Sequence, residues 1–195
     1  NGVMPFGAAK AALLGAAGSG GSEPAYEPIG TYTFDGTSAT HTFTSIPQTY
    51  QDLRLVCKTF PDTSHNSSFG LNVRINGNSD TNYYNAYAYQ YNGTNSSVSS
   101  GSGSRFDIAK GLPSQYYGST VIADFINYTS GTNQPYVQSI WGMTPHTNSS
   151  YNHVGFMRGE YANGLPAVTQ IEFTIDSGEN FGNGTNVTLY GIGAS

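Results

Sequence analysis

Charge is what this chain has least of: Asp, Glu, Lys and Arg make up 10% of its 195 residues, against about 25% in an ordinary soluble domain. Seven basic residues and a net charge of −5 leave no basic cluster of the kind a nucleic-acid phosphate backbone requires, so no nucleic-acid partner is expected. Cysteine occurs once, at Cys57, which excludes an intrachain disulfide. Its place in the alternating run Leu53-Arg54-Leu55-Val56-Cys57 makes it a core residue rather than a nucleophile. No apolar run approaches the about 20 residues of a bilayer-spanning helix, and no membrane partner is expected.

Chemistry-bearing constellations are equally scarce. His41, His65, His146 and His153 are too scattered for a metal motif, and no Ser has a nucleophile-elbow context. Asp107, Asp124, Glu160, Glu172 and Asp176 could supply an acid pair, but no spacing singles one out, and solvated outward positions on strands account for them. Asn76-Gly77-Asn78-Ser79-Asp80 places oxygen ligands at alternate positions without the rest of a Ca²⁺ loop, and reads as a hairpin turn. The chain is therefore expected to be no enzyme, with no catalytic residue, metal or cofactor.

What is present divides into two parts: residues 1–22, an anchor and linker, and residues 23–195, a β domain. The head, from Met4 to Ala17, is small, apolar and carries only Lys10, and Gly18-Ser19-Gly20-Gly21-Ser22 follows it as a flexible linker. As a helix it would align Phe6, Ala9, Leu13 and Ala16 in one stripe. Gly7 and Gly15 weaken that helix by about 1 kcal/mol each, so it should order only on contact. Burying Phe6, Leu13 and Leu14 contributes roughly 1.5–3 kcal/mol each, while association costs about 4–15 kcal/mol. One copy holds weakly, and several on an oligomer bind by avidity. Met4, Phe6, Leu13 and Leu14 are the expected docking residues; packing on the chain's own body is the competing reading.

From Thr31 onward nearly every segment alternates as a strand does. Leu53, Leu55 and Cys57 set against Arg54 and Lys58; Leu71, Val73 and Ile75 against Asn72, Arg74 and Asn76; Ile171, Phe173 and Ile175 against Glu172 and Thr174. Further strands are expected at 31–35, 40–44, 83–91, 105–109, 119–128, 136–143, 153–161 and 187–192. Asp35-Gly36, Asn92-Gly93, Asn163-Gly164 and Ser177-Gly178 punctuate them. The expectation is an all-β, antiparallel, jelly-roll-like β-sandwich. Tyr83, Asn85, Tyr87, Tyr89 and Tyr91 share one strand face, which would be an aromatic core layer, a subunit contact or a sugar platform. Tyr87, Tyr89 and Tyr91 are the candidates for subunit or glycan contact.

Four segments carry a family resemblance: Phe43-Thr44-Ser45-Ile46-Pro47-Gln48-Thr49-Tyr50-Gln51-Asp52-Leu53-Arg54-Leu55-Val56, Arg74-Ile75-Asn76-Gly77 through Asn82-Tyr83, Ile126-Asn127-Tyr128-Thr129-Ser130, and the closing Leu189-Tyr190-Gly191-Ile192. Together they resemble segments of the structural proteins of tailed bacteriophages, notably those of aquatic bacteria and cyanobacteria. The resemblance implies a virion component with a β-sandwich body: a head decoration or cement protein, a fibre or a tail part, located on the extracellular particle. Its partners would be other virion proteins and further copies of itself, with a trimer favoured. A host-surface glycan is the alternative ligand. The family carries no catalytic motif to transfer.

Overall fold

Alternating apolar side chains give each strand one face to bury, and two such faces close on each other to form a sandwich. In the computed structural model, described for residues 26–60, 69–91, 94–112, 118–129, 131, 133–143, 153–164, 167–176 and 178–194, this is what forms. The strands are β1 (Tyr26–Thr33), β2 (Thr40–Phe43), β3 (Tyr50–Thr59), β4 (Phe69–Ile75), β5 (Tyr83–Tyr91) and β6 (Thr94–Gly103). They continue as β7 (Phe106–Leu112), β8 (Ser119–Ile126), β9 (Tyr136–Met143), β10 (His153–Tyr161), β11 (Ile171–Ile175) and β12 (Asn186–Ala194).

One sheet has the order β1-β12-β3-β8-β9-β10-β5-β6 and the other β2-β11-β4-β7, with every pairing antiparallel. The quartets β1-β12-β3-β8 and β2-β11-β4-β7 interleave in sequence as the two Greek keys of a jelly roll. The hairpins β5–β6 and β9–β10 are extra: each is inserted between jelly-roll strands, and together they widen one sheet to eight strands.

The core lies between the sheets. Phe34, Phe173 and Phe181 form an aromatic cluster at one end, Phe173 stacked on Phe181 with centroids 5.0 Å apart. Leu53, Leu55, Cys57, Val187 and Leu189 fill the middle. Burial also pushes the Cys57 thiol well above its ordinary value, so it stays protonated as a core side chain. Strand β7 covers the inner side of the inserted strands. Ser139 donates to Ile108 O at 2.6 Å, and Asn85 joins Arg105 O at 3.0 Å to Asp107 N at 3.1 Å.

Three features depart from the sequence reading. Strand β6, rich in Ser and Gly, has no apolar alternation, yet pairs with β5 along its length. Asn76-Gly77 has the two positive φ values of a tight turn, 51° and 65°, but β4 and β5 belong to different sheets. It is a corner between layers rather than a hairpin, because Asn76 is tied across to the segment before β11. Its Oδ1 accepts from Thr169 N at 2.9 Å and Gln170 N at 3.2 Å, and its Nδ2 donates to Ala167 O at 2.9 Å. Strand β1 begins at Tyr26, five residues before the expected start.

Candidate functional site

Of the residues expected to act, Met4, Phe6, Leu13 and Leu14 lie outside the described residues, as does the side chain of Tyr91. Tyr87 and Tyr89 are on the inner face of β5, half-buried against the core, while Tyr83 on the same face is fully buried. Burial pushes the Tyr83 hydroxyl up to about 12. The face is thus an aromatic core layer along most of its length.

Four of the five candidate carboxylates are separately engaged, while Glu160 on β10 is exposed. Asp124 receives Arg54 through Nε at 2.6 Å and Nη2 at 2.9 Å, Glu172 receives Arg74 at 3.1 Å, and Asp107 receives Lys110 at 2.9 Å. Asp176 accepts from Gly70 N at 2.5 Å. These bonds make the four part-buried structural partners rather than freely solvated groups; Glu160 alone holds the expected solvated outward position. His41 stacks on Tyr32 with centroids 3.9 Å apart, and His153 is buried. Among the described residues no group of three or more His, Cys, Asp or Glu could hold a metal ion, and no helix is long and apolar enough to cross a membrane.

Asp80 anchors a polar knot at the β4–β5 corner. It accepts from Asn163 Nδ2 at 2.9 Å, from the Tyr161 hydroxyl at 2.8 Å and from Asn82 N at 3.1 Å, while Asn78 Nδ2 donates to the same Tyr161 oxygen. The Asn163 amide, followed by Tyr161 and Asn82, holds the Asp80 carboxyl far below the usual range. A carboxyl whose folded pKa is depressed stabilises the fold above its unfolded value of about 3.9 and ceases to do so as pH falls through the folded value. Asp80→Asn should therefore lower the thermal midpoint at neutral pH and lose less stability than the parent between about pH 5 and pH 2. Parallel acid titrations followed by circular dichroism check this.

The outer face of the eight-stranded sheet carries the feature that the sequence did not single out. Val56, Ile122, Ile140, Phe156 and Ala88 stand side by side in one row across β3, β8, β9, β10 and β5. Ile140 and Phe156 are each 60% exposed, and Val154 in the adjoining row is 56% exposed. A depression of about 770 Å³ runs along these residues, its floor opened by Gly142 and Gly155. On one side the row is bordered by Arg54, Asp124, Gln138 and Arg158; on the other by Lys58, Thr120, Gly142 and Val154. Scattered exposed apolar residues are ordinary, but a contiguous rimmed patch marks an interaction surface.

A second, smaller cleft of about 320 Å³ lies beside β6 and β7, lined by Asn85, Tyr87, Arg105, Asp107 and Lys110 among others. The Lys110 ammonium sits over the Tyr87 ring, 5.5 Å from its centroid. The strand face that carries Tyr83, Tyr87 and Tyr89 therefore reaches solvent at a polar cleft, while the apolar surface is on the opposite side of the sheet. A scan against protein-family models finds no match to the chain, and a search of the curated proteins finds none either.

Proposed function

We propose that the chain is a non-enzymatic structural subunit of a phage virion, held on the particle by its N-terminal segment and associating with further copies through its β body. The observation that carries the assembly reading is the contiguous row Val56, Ile122, Ile140, Phe156 and Ala88, open on the widest face of the sandwich. The low charge of the chain and the resemblance of its motifs to phage structural proteins support the particle as its setting. Strand β1, before which the segment with Met4, Phe6, Leu13 and Leu14 stands in the sequence, is an edge strand that starts at Tyr26; a neighbouring virion protein is the proposed receiver of those four residues.

Removal of residues 1–21 should leave a folded body with an unchanged strand spectrum that no longer incorporates into particles. Normal incorporation of the truncated chain would overturn the docking role.

Glycan binding is a second reading, favoured by the cleft that joins Tyr87 to Asn85, Arg105 and Asp107. Its acceptors and donors suit sugar hydroxyls, although Lys110 occupies one face of the ring on which a sugar would stack. Saccharide binding by the body that Tyr87→Ala abolishes would favour this reading; a glycan array without a hit would remove it.

A further inference from the structure

We infer that the apolar face is a two-fold interface with a second copy of this chain, its symmetry axis running along β9. The inference rests on the assembly reading above and names the partner of that surface. Three observations carry it: the row is apolar and open, the face is large enough, and this axis brings its bordering opposite charges together.

Size comes first. The seven strands from β12 to β6 in sheet order, three on each side of β9, at about 4.8 Å spacing and about eight residues of about 3.3 Å each, present roughly 900 Å² per copy. A standard stable interface takes about 800 Å² from each partner. A second copy of the same face therefore meets the requirement without recruiting loops.

Charge selects the symmetry. Asp124 on β8 and Arg158 on β10 both face Gln138 on β9, one on each side. Two copies placed face to face about an axis along β9 keep their rows and exchange β8 with β10. Asp124 of each copy then lies opposite Arg158 of the other, Ile122 opposite Phe156, and Ile140 opposite Ile140. Lys58 meets Gln90, and Arg54 meets Ala86, so no like charges oppose each other. An axis along β8 would set Asp124 on Asp124, one along β10 would set Arg158 on Arg158, and one across the strands would set Lys58 over Arg54. Like charges across an interface are strongly penalised; of these axes the β9 axis alone avoids them, and it pairs Asp124 with Arg158.

Both charged groups are available for this. Arg158 lies over the Tyr136 ring at 5.0 Å and forms no salt bridge with a described residue. Asp124 is held by Arg54, with side chains 18% and 30% exposed, which fixes its carboxylate at the border of the row. Facing sheets align at about −30° because each is twisted, so the register is tightest on the three central strands, where these pairs lie.

Sedimentation velocity of the full chain tests the arrangement. The parent chain should run as a dimer, and Arg158→Asp and Asp124→Arg should each run as monomers, with association weakened at least about 100-fold. An equimolar mixture of R158D and D124R should regain the dimer, since both contacts again join a carboxylate to a guanidinium. Ile140→Lys, outward-facing on the axis, should be monomeric without loss of the strand spectrum. A monomeric or trimeric parent, singly substituted chains that remain dimeric, or folded single variants that fail to combine would each overturn the two-fold interface. Particle incorporation is read separately: a monomeric parent chain that still enters particles removes this interface and leaves the virion role standing.

Discussion

Phe173→Ala is expected to cost about 3–5 kcal/mol, a large part of the stability of a domain this size. Phe173 is fully buried on β11, between β2 and β4, with its ring stacked on Phe181 and tilted toward Phe34 at 6.3 Å. Truncation removes the centre of that cluster. Phe34 and Phe181 cannot collapse into the space because each is fixed by backbone bonds, Phe34 N to Thr185 O at 2.8 Å and Phe181 N to Ser38 O at 2.9 Å. In urea, with a slope of about 2 kcal/mol/M, the midpoint should fall by roughly 1.5–2.5 M at an unchanged slope. A shift below about 0.5 M would mean that the cluster contributes little to the core.

Gly159→Ala is expected to reverse the usual sign of its substitution. In an ordinary strand alanine is preferred to glycine by roughly 0.5–1 kcal/mol, because glycine has more freedom to lose on folding. At Gly159 a Cβ would come within 2.6 Å of Phe106 Cδ1 and 2.9 Å of the Tyr84 carbonyl oxygen. The ring could rotate away only into a filled core, and the carbonyl belongs to the neighbouring strand. Overpacking of this kind costs about 1–3 kcal/mol. Gly101 on β6 is the internal control, since a Cβ there meets nothing within 4 Å. Gly101→Ala should be neutral or slightly stabilising while Gly159→Ala lowers the melting temperature by several degrees, about 2–4 °C per kcal/mol. Equal effects at the two positions would contradict the packing on the inner face of β10.

These two substitutions locate the boundary between what was legible in the chain and what was not. Phe173 was legible: Ile171, Phe173 and Ile175 alternate with polar residues, so only one face of β11 can be buried. The same reasoning identified the segments that became β3, β4 and β8, and the all-β sandwich with them. Strand β10 was different. His153-Val154-Gly155-Phe156-Met157-Arg158-Gly159-Glu160-Tyr161 carries large apolar groups in both phases. Hydrophobicity alone would turn Val154 and Phe156 inward and the glycines outward. The structure does the opposite. Gly155 and Gly159 face the core because the Trp141 indole and the Phe106 ring occupy the space where their side chains would be, and Phe156 is left on the surface.

Strand β6 was missed for a related reason. Its Ser- and Gly-rich sequence has no face to bury, and its strand conformation comes from the hydrogen bonds offered by the edge of β5.

The sequence by itself determined that the chain from Tyr26 onward folds as strands, which residues of most strands form the core, and, with its single cysteine, that no intrachain disulfide joins them. These follow from local periodicity and composition, which need no knowledge of neighbours. Tertiary structure alone decided which sheet each strand joins, that Asn76-Gly77 turns a corner between layers, and that five apolar side chains from five strands line up in one row on the outer face, with Ile140 and Phe156 exposed. That row is a property of register between β3, β8, β9, β10 and β5, and register is fixed by rings such as Trp141 and Phe106 filling the core from distant parts of the chain.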